Sequence, residues 1–210
     1  LSEGLIDSPQ QLLGCEVKAL LEGIEVDLRV ASSAAAAALD PAARRLLPGR
    51  SGCGLCGART LEDAMRPPLR RPTSTRFSAA ALRLALSALP DLQPVNAATG
   101  AVHAAAWADA GGAIRFLRED VGRHNAVDKL VGALCRAGQP GEAGMLLVTS
   151  RASYEIVHKA ASAGIGLLAA LSAPTALAVD FAERSGLCLV GFARGGRCNV
   201  YAHAGRLIED

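Results

Sequence analysis

Hydrophobic and polar positions along this chain follow two periods, that of a strand and that of a helix. Apolar and polar side chains partly alternate from Val17 to Val30, which predicts a strand around residues 25–30. Ser78 precedes an apolar helical pattern that continues through about Leu89, and Pro90 ends it. The stretch 48–76 contains many Pro and Gly breakers, so we expect it to be mostly irregular.

Strand and helix patterns alternate after residue 100. Two apolar runs, 102–108 and 113–117, flank Asp109–Gly112, a turn suited to a β-hairpin. The later elements predicted are a helix at 123–135, a strand at 145–149, a helix at 154–162, a strand at 165–171, a helix at 174–183 with Pro174 near its first turn, and strands at 187–191 and 198–203. This order predicts an α/β fold, in which a mixed sheet with a mainly parallel half carries helices on both faces.

The irregular middle stretch divides the chain into two parts. We predict a small N-terminal subdomain over residues 1–76, which carries a Cys-x-x-Cys loop, and a larger α/β domain over residues 77–210. The first residue is Leu1, where an initiator Met would stand, so we expect the N-terminal subdomain to be truncated at its start.

Composition argues against several classes of protein. Half of the 210 residues are hydrophobic, which is enough to bury a sizeable core. The aromatic content of 3% argues against a base-stacking surface for a nucleic-acid polymer, while the net charge of +2 carries no information about DNA binding. The uncharged run 160–179 is interrupted by Gly, Ser and Pro, so we predict no membrane span. Six cysteines without regular spacing favour a reducing cytoplasm.

Two cysteines are the first candidates for chemistry. Cys53 and Cys56 lie in Ser51–Gly57, where glycine flanks the pair and also stands between its members. Because glycine holds no fixed backbone conformation, we expect a mobile tether that lets the sulfur atoms reach two different partners. Sulfur delivery is a task that needs this freedom.

Two other uses of the thiol pair fit the sequence less well. A structural zinc site needs four ligands, and no second close pair of Cys or His follows at zinc-finger spacing, so we expect no zinc. A thioredoxin-like dithiol normally begins a helix, whereas Gly57 and Thr60 delay the next predicted helix.

Polar loops follow the predicted strands at the edge where α/β proteins bind ligands. Glu119–Asn125 joins a strand to a helix, and its free backbone N–H groups, Arg123 and His124 are suited to bind an anion. Asp128 and Lys129 come one turn later, near enough to orient or pair with Arg123 or His124.

A second loop carries the same kind of side chain. Ser150 and Arg151 follow the strand that ends near residue 149, where a hydroxyl and a guanidinium are again suited to an anion. A structural alternative stays open for both loops, with Asp120 and Ser153 serving only as helix caps.

A third segment, between the last two predicted strands, places two arginines around a glycine pair. Its residues are Phe192, Ala193, Arg194, Gly195, Gly196 and Arg197. Glycine allows the backbone to approach a ligand, while guanidinium groups reach phosphate or guanine acceptors. We expect this segment to lie at the same sheet edge as the other polar loops.

Several of these segments together carry a resemblance to a known family. They are Ser51–Gly57, Arg118–Leu130, Ser150–Glu155, Ser172–Thr175 and Gly191–Arg197. In this order they resemble the formate dehydrogenase accessory sulfurtransferase family, FdhD, over nearly the whole chain. The resemblance implies a three-layer α/β/α fold like that of cytidine deaminases, and a homodimer. It does not imply deaminase chemistry, because neither His103 nor His158 begins the His-x-Glu pattern of zinc deaminases.

The resemblance also implies an activity and roles for the candidate residues. A cysteine desulfurase gives persulfide sulfur to Cys53, and the protein transfers it to the molybdenum or tungsten of a bis(pyranopterin guanine dinucleotide) substrate needed by the formate dehydrogenase catalytic subunit. Cys56 assists or resolves the persulfide. The segment 192–197 binds the guanine nucleotide or its phosphates, and the expected neighbours are Arg123, His124, Ser150 and Arg151.

Two further functions are carried as alternatives. The first is a non-catalytic chaperone that binds the molybdenum cofactor and inserts it into the recipient enzyme. The second is a zinc-dependent regulator, which would contain stoichiometric metal when purified without added zinc.

Overall fold

The structure is a computed structural model, which describes residue 6 and residues 8–21, 23–31, 75–139, 141–194 and 196–209. The segment Ser51–Gly57, with Cys53 and Cys56, lies outside these described residues. The chain divides into two compact units, Leu1–Arg50 and Ser51–Asp210. The predicted boundary after residue 76 falls next to the undescribed stretch and stays a prediction.

The first unit contains an antiparallel hairpin. Strand β1 spans Leu12–Leu20 and β2 spans Gly23–Val30. Val17 lies opposite Val26 and Glu16 lies opposite Asp27, so one face of the hairpin is apolar and the other is charged. The strand predicted around residues 25–30 is confirmed as β2, but the alternating pattern that begins at residue 17 belongs to two strands, because the chain reverses between residues 20 and 23.

The second unit contains the remaining strands and all the described α-helices. Its strands are β3 Phe77–Ser78, β4 His103–Asp109, β5 Ile114–Asp120, β6 Gly144–Val148, β7 Leu167–Ala170, β8 Cys188–Arg194, β9 Arg197–Ala202 and β10 Leu207–Ile208. Its helices are α1 Ala79–Ala88, α2 Pro94–Thr99, α3 Arg123–Arg136, α4 Tyr154–Ser162 and α5 Ala176–Ser185. Short 3₁₀ turns occupy Pro90–Leu92, Gly141–Ala143 and Ala204–Arg206.

A six-stranded mixed sheet organises this unit, in the order β5-β4-β6-β7-β8-β9. Strands β6, β7 and β8 are parallel to one another, whereas β4 is antiparallel to both β5 and β6, and β9 is antiparallel to β8. Two strands antiparallel to the same neighbour point the same way, so β5 runs with β6, β7 and β8. A separate parallel pair joins β10 to β3.

Helices cover both faces of the sheet, as the alternating pattern predicts. On one face α1 buries Leu82 and Ala85 against strand residues that include Leu147 and Leu167. On the opposite face α3, α4 and α5 bury a larger apolar cluster that includes Trp107. Within the described residues, no helix combines the length and the apolar character that a membrane crossing requires.

Local sequence signals explain the elements that were predicted correctly. The Ser78 hydroxyl accepts a hydrogen bond from the Ala81 amide (3.1 Å), which caps α1, and the helix ends before Pro90. The turn after β4 is held by the Asp109 carboxylate, which accepts from the amides of Gly111 and Ala113 at 3.0 Å each. These bonds fix the predicted β4–β5 hairpin.

Several predicted boundaries were wrong. Strand β5 continues to Asp120, which places Glu119 in a strand rather than a loop. Helix α5 begins after Thr175, whose hydroxyl caps the helix by accepting a hydrogen bond from the Ala178 amide (3.2 Å). Pro174 therefore lies outside the helix, where it forms an isolated β-bridge with Ala152. Helix α2 was not predicted.

Candidate functional site

The polar segments that follow β5, β6, β7 and β8 lie at one edge of the sheet, because these four strands run in the same direction. The open edge of a doubly wound sheet is where ligands bind in this class of fold. The structure separates the candidate residues near this edge into two groups, one at the start of α3 and one beside α1.

The first group begins at the N-terminus of α3. Gly122 is the N-cap residue, and its amide donates to the Asp120 carboxylate at 2.8 Å. Asp120 also accepts from the Asn125 side chain at 3.3 Å and forms an ion pair with Lys129. These interactions, led by the hydrogen bond from Lys129, hold the pKa of Asp120 below its usual value. A fixed carboxylate therefore organises this turn.

His124 contacts the start of α4. Its Nε2 lies 3.3 Å from the Ser153 hydroxyl oxygen and 3.7 Å from Glu155 Oε2. Burial lowers the pKa of His124 to about 4, and the positive charges of Arg123 and Lys159 add to this effect while Asp128 opposes it. His124 is therefore neutral near pH 7, so it can form hydrogen bonds but carries no charge.

Arg123 lies beside two histidines. Its charge lowers the pKa of His124, and it also adds to the burial that lowers the pKa of His103. The Nε atom of Arg123 is buried and has no hydrogen-bond partner among the described residues. A buried donor without a partner is rare in native structures, which makes this guanidinium a candidate for a ligand contact.

An ion pair with one buried partner lies beside the first group. Lys159 is only 4% exposed, and its Nζ lies 2.9 Å from both carboxylate oxygens of Asp128 and 3.7 Å from Glu155 Oε1. The expectation that Asp128 and Lys129 lie near enough to orient or pair with Arg123 or His124 is confirmed for Asp128, whose charge opposes the lowering of the His124 pKa, and is wrong for Lys129. Asp128 pairs with Lys159 across two helices, and Lys129 pairs with Asp120.

The second polar loop is tied to the backbone. The Ser150 hydroxyl donates to the Arg151 carbonyl at 3.0 Å, and Ser150 is buried while Arg151 is exposed. The Thr149 hydroxyl accepts from the Ala104 amide at 2.9 Å, which joins this loop to β4. Ser153 is the N-cap residue of α4 but makes no side-chain capping bond, because its hydroxyl faces His124.

The third segment is a hairpin end rather than a free loop, which corrects the sequence interpretation. Phe192, Ala193 and Arg194 belong to β8, and Arg197 begins β9 directly opposite Arg194. The register shifts between Gly191 and Arg194, so the strand carries a bulge there. Phe192 has a positive φ of 50°, a conformation that bulges accommodate, and its side chain is 39% exposed.

Beyond this bulge, the β8–β9 hairpin forms one wall of a cavity of about 660 Å³. The hairpin contributes Ala193, Arg194, Gly196, Arg197 and Cys198. Helix α1 forms the facing wall, and the C-terminal segment adds Leu207 and Glu209. We call this space the α1 cavity. Its volume lies in the range of small-molecule sites, so it can admit a nucleotide-sized ligand.

The structure thus brings together some of the predicted residues and separates others. Arg194, Gly196 and Arg197 share the α1 cavity, whereas His124 belongs to the helix layer of α3 and α4. Sequence reasoning missed Glu209 on the cavity wall. No sequence signal identified it, because the cavity arises from the packing of α1 against a hairpin more than a hundred positions away.

Comparison with known proteins places this chain in a family. A sequence profile of the FdhD/NarQ family matches residues 1–208. The chain belongs to the FdhD/NarQ family. The resemblance drawn from the sequence motifs is therefore confirmed.

Two relatives of this FdhD/NarQ family member, both of which are named "sulfur carrier protein FdhD", illustrate the similarity. The protein from Xanthomonas campestris pv. campestris (strain B100) is 53% identical over 207 residues, which cover 99% of this chain and 73% of the relative. The protein from Bordetella petrii is 46% identical over 207 residues, with 99% of this chain and 74% of the relative covered.

A solved structure supports the fold. It is described as a formate dehydrogenase accessory protein from Desulfotalea psychrophila, and it matches with a TM-score of 0.71 and 22% identity over 99% of this chain and 75% of that one. This family member therefore has the fold of that protein. The finer expectation of a cytidine-deaminase-like arrangement stays a prediction.

Proposed function

We propose that this FdhD/NarQ family member is a sulfur carrier that acts as a sulfurtransferase. It takes persulfide sulfur from a cysteine desulfurase and transfers it to the molybdenum or tungsten of a bis(pyranopterin guanine dinucleotide) substrate used by formate dehydrogenase. The main support is the 46–53% identity to sulfur carrier proteins over 207 residues, together with the thiol pair Cys53 and Cys56 in the same chain. The expected homodimer and cytoplasmic location belong to the same proposal.

Loading of the carrier is a thiol exchange at Cys53. The Cys53 thiolate attacks the terminal sulfur of the donor's persulfide, so a new S–S bond forms at Cys53. The donor's own S–S bond breaks, and its cysteine leaves as a thiolate that takes up a proton. The product is a persulfide on Cys53, and no net oxidation occurs.

Delivery of the sulfur as sulfide requires two electrons, which Cys56 supplies if it resolves the persulfide. Its thiolate attacks Cys53 Sγ, a disulfide forms between the two cysteines, and hydrosulfide leaves for the metal. A thiol reductant then restores the dithiol. If Cys56 only assists, an external thiol takes the same role and is itself oxidised to a disulfide.

The α1 cavity is the proposed site for one nucleotide portion of the substrate. Arg194 and Arg197 supply two guanidinium groups on its hairpin wall, and Gly196 adds a backbone without a side chain. Planar guanidinium groups form paired hydrogen bonds with phosphate oxygens, so this wall suits an anionic group.

Arg123, His124, Ser150 and Arg151 form the second proposed contact region. Arg123 is the best supported of them, since its buried Nε lacks a partner among the described residues. His124 is neutral near pH 7 and can contribute a hydrogen bond but no charge. We place this region at another part of the substrate and not in the α1 cavity.

A non-catalytic chaperone remains the second candidate function. One observation favours it, namely that described residues outside the thiol segment, among them Arg194 and Arg197, line the α1 cavity. A chaperone needs only such a binding surface, so the two functions differ in whether Cys53 carries sulfur.

Mass spectrometry of the Cys53 peptide tests the sulfurtransferase function. The purified protein is incubated with a cysteine desulfurase and free cysteine, with and without a thiol reductant. We expect a gain of one sulfur atom on Cys53 that disappears with the reductant. Cys15, an exposed thiol of the β1–β2 hairpin, is the internal control and should gain none. No gain on Cys53, or an equal gain on Cys15, would contradict the proposal.

A further inference from the structure

We propose that Glu209 makes the α1 cavity selective for guanine over adenine. This inference rests on the proposed function, in which the cavity binds a nucleotide, and adds the residue that would read the base. Glu209 lies on the cavity wall with Arg194 and Arg197. Its position follows from the fold of the C-terminal segment, and it belongs to none of the motifs that carry the family resemblance.

The cavity wall combines three kinds of chemistry. Leu82, Leu86 and Leu171 provide apolar surface that can pack against the faces of a planar ring. Arg194 and Arg197 provide positive charge for an anionic tail. A carboxylate is the third component, and it accepts hydrogen bonds but donates none when ionised. The ligand that fits all three is a ring with adjacent N–H donors and an attached phosphate.

Guanine has this donor pattern and adenine does not. The pairing edge of guanine presents N1–H and the N2 amino group side by side, so the two oxygens of one carboxylate can accept both hydrogen bonds. Adenine presents one amino donor beside the N1 lone pair, which a carboxylate oxygen repels. A pair of matched hydrogen bonds discriminates between bases by about 1–3 kcal/mol.

Pairing of β10 with β3 sets the position of Glu209. Leu207 lies opposite Phe77 and Ile208 opposite Ser78, so Glu209 follows directly beside the first turn of α1. There Arg83 Nη1 lies 3.6 Å from Glu209 Oε2. The pair is exposed, with side-chain accessibilities of 52% for Arg83 and 83% for Glu209, so it adds little stability and leaves the carboxylate at the cavity wall.

Calorimetric titration with two nucleotides tests this inference on the full chain. GDP and ADP are titrated into the wild type and the Glu209→Gln variant. The amide of glutamine offers one acceptor and one donor, so it keeps one guanine hydrogen bond and places an N–H donor against the second guanine donor. We expect the variant to bind GDP about 10-fold or more weakly and to bind ADP at least as tightly as the wild type does, because the repulsion with adenine N1 is removed.

Two further variants make the result specific. Asp91→Asn removes one exposed negative charge outside the α1 cavity and should leave both affinities unchanged. Arg197→Ala should weaken GDP and ADP alike, because it acts on the phosphates that both share.

The outcomes separate the two proposals. If GDP binds more tightly than ADP and Glu209→Gln keeps this preference, base selection by Glu209 is wrong while the nucleotide site stands. If the wild type binds GDP and ADP with equal affinity, the proposed selectivity for guanine is also wrong. If neither nucleotide binds the wild type, the nucleotide site fails and this inference fails with it.

Discussion

Lys159 and Asp128 form a doubly hydrogen-bonded ion pair between α4 and α3, although they are 31 positions apart in sequence. The ammonium group is 2.9 Å from each carboxylate oxygen. The lysine side chain is 4% exposed and the aspartate 42%, so one charge is buried and the other remains partly solvated. This pair joins the two helices whose N-termini carry Arg123, His124 and Ser153.

Replacement of Lys159 by methionine tests the contribution of this pair. Methionine keeps an apolar chain of similar length but removes the ammonium group, so Asp128 and Glu155 lose their positively charged partner. We expect the free energy of unfolding to fall by about 2 kcal/mol, less than for a fully buried pair because Asp128 contacts water. Urea unfolding measures the change as a lower midpoint at constant slope.

Lys129→Met is the matched control. Lys129 pairs with Asp120, but its side chain is 52% exposed, and exposed ion pairs contribute at most about 1 kcal/mol. The loss should therefore be clearly smaller than for Lys159→Met. Equal losses in the two variants would show that burial does not set the strength of these pairs.

The lowered pKa of His124 makes stability depend on pH. The ring has a pKa of about 4 in the folded protein against an ordinary value of 6.5. Between these values the unfolded chain binds a proton at this residue and the folded protein does not. The stabilisation is therefore complete above pH 6.5 and is lost as the pH falls towards 4. The shift corresponds to at most about 3 kcal/mol, and residual solvent access reduces it.

Urea unfolding between pH 7 and 4 measures this dependence. His124→Gln should flatten the slope in that window, because glutamine does not titrate. His203→Asn, which replaces a histidine that contacts Glu183 near the surface, should keep the wild-type slope. A wild-type slope in His124→Gln would assign the dependence to other groups.

The helix bounds that were predicted correctly are those set by residues close together in the sequence. The bounds predicted for α4 are those observed, and α3 differs by one residue, because helical periodicity acts over a few positions. Helix α2 was missed because its N-terminus is held from a distance. The Glu119 carboxylate accepts from the Val95 and Asn96 amides at 3.0 and 2.8 Å, whereas the N-cap residue Gln93 makes no side-chain capping bond, and the local signals are limited to Pro94 and Gly100.

The sequence predicted individual residues of the candidate site but not how they are arranged in space. Arg194 and Arg197 were recognised as cation-bearing positions, but the bulge that places them in strands depends on tertiary packing. The partners of Asp128 and the wall that Glu209 adds to the α1 cavity depend on elements far apart in the chain. Residue types therefore indicated which chemistry to expect, and topology decided which groups meet.

The bulge of β8 depends on a close approach at Gly191. A Cβ atom there would lie 2.8 Å from Pro174 Cδ and 2.9 Å from Tyr201 Cε2, both closer than a normal contact. Gly191→Ala should therefore lower the free energy of unfolding by about 1–3 kcal/mol. Because the bulge carries Arg194, we also expect weaker GDP binding. Urea unfolding and calorimetry measure the two effects.

Gly205→Ala is the control for this substitution. A Cβ atom at Gly205 meets no atom within 4 Å, and the residue lies in a short 3₁₀ turn. Its effect on stability should stay within about 0.5 kcal/mol. If Gly191→Ala is as stable as Gly205→Ala, the contact with Pro174 is not tight in solution.

Sulfur loading and nucleotide binding should be separable by single substitutions. Cys53→Ala removes the attacking sulfur, so loading in the desulfurase assay should disappear while the affinity for GDP stays unchanged. Arg197→Ala removes a guanidinium from the α1 cavity, so the affinity for GDP should fall about 10-fold while loading persists. Arg136→Ala, an exposed arginine at the end of α3, should change neither quantity.

This pair of variants also distinguishes the carrier from the chaperone. A carrier needs Cys53 for sulfur and Arg197 for the acceptor, and each defect appears in one assay only. Because the cavity contains described residues outside the thiol segment, loss of Cys53 should not disturb it. Equal loss of GDP binding in Cys53→Ala and Arg197→Ala would instead mean that the thiol segment contributes to the binding surface, and would favour the chaperone.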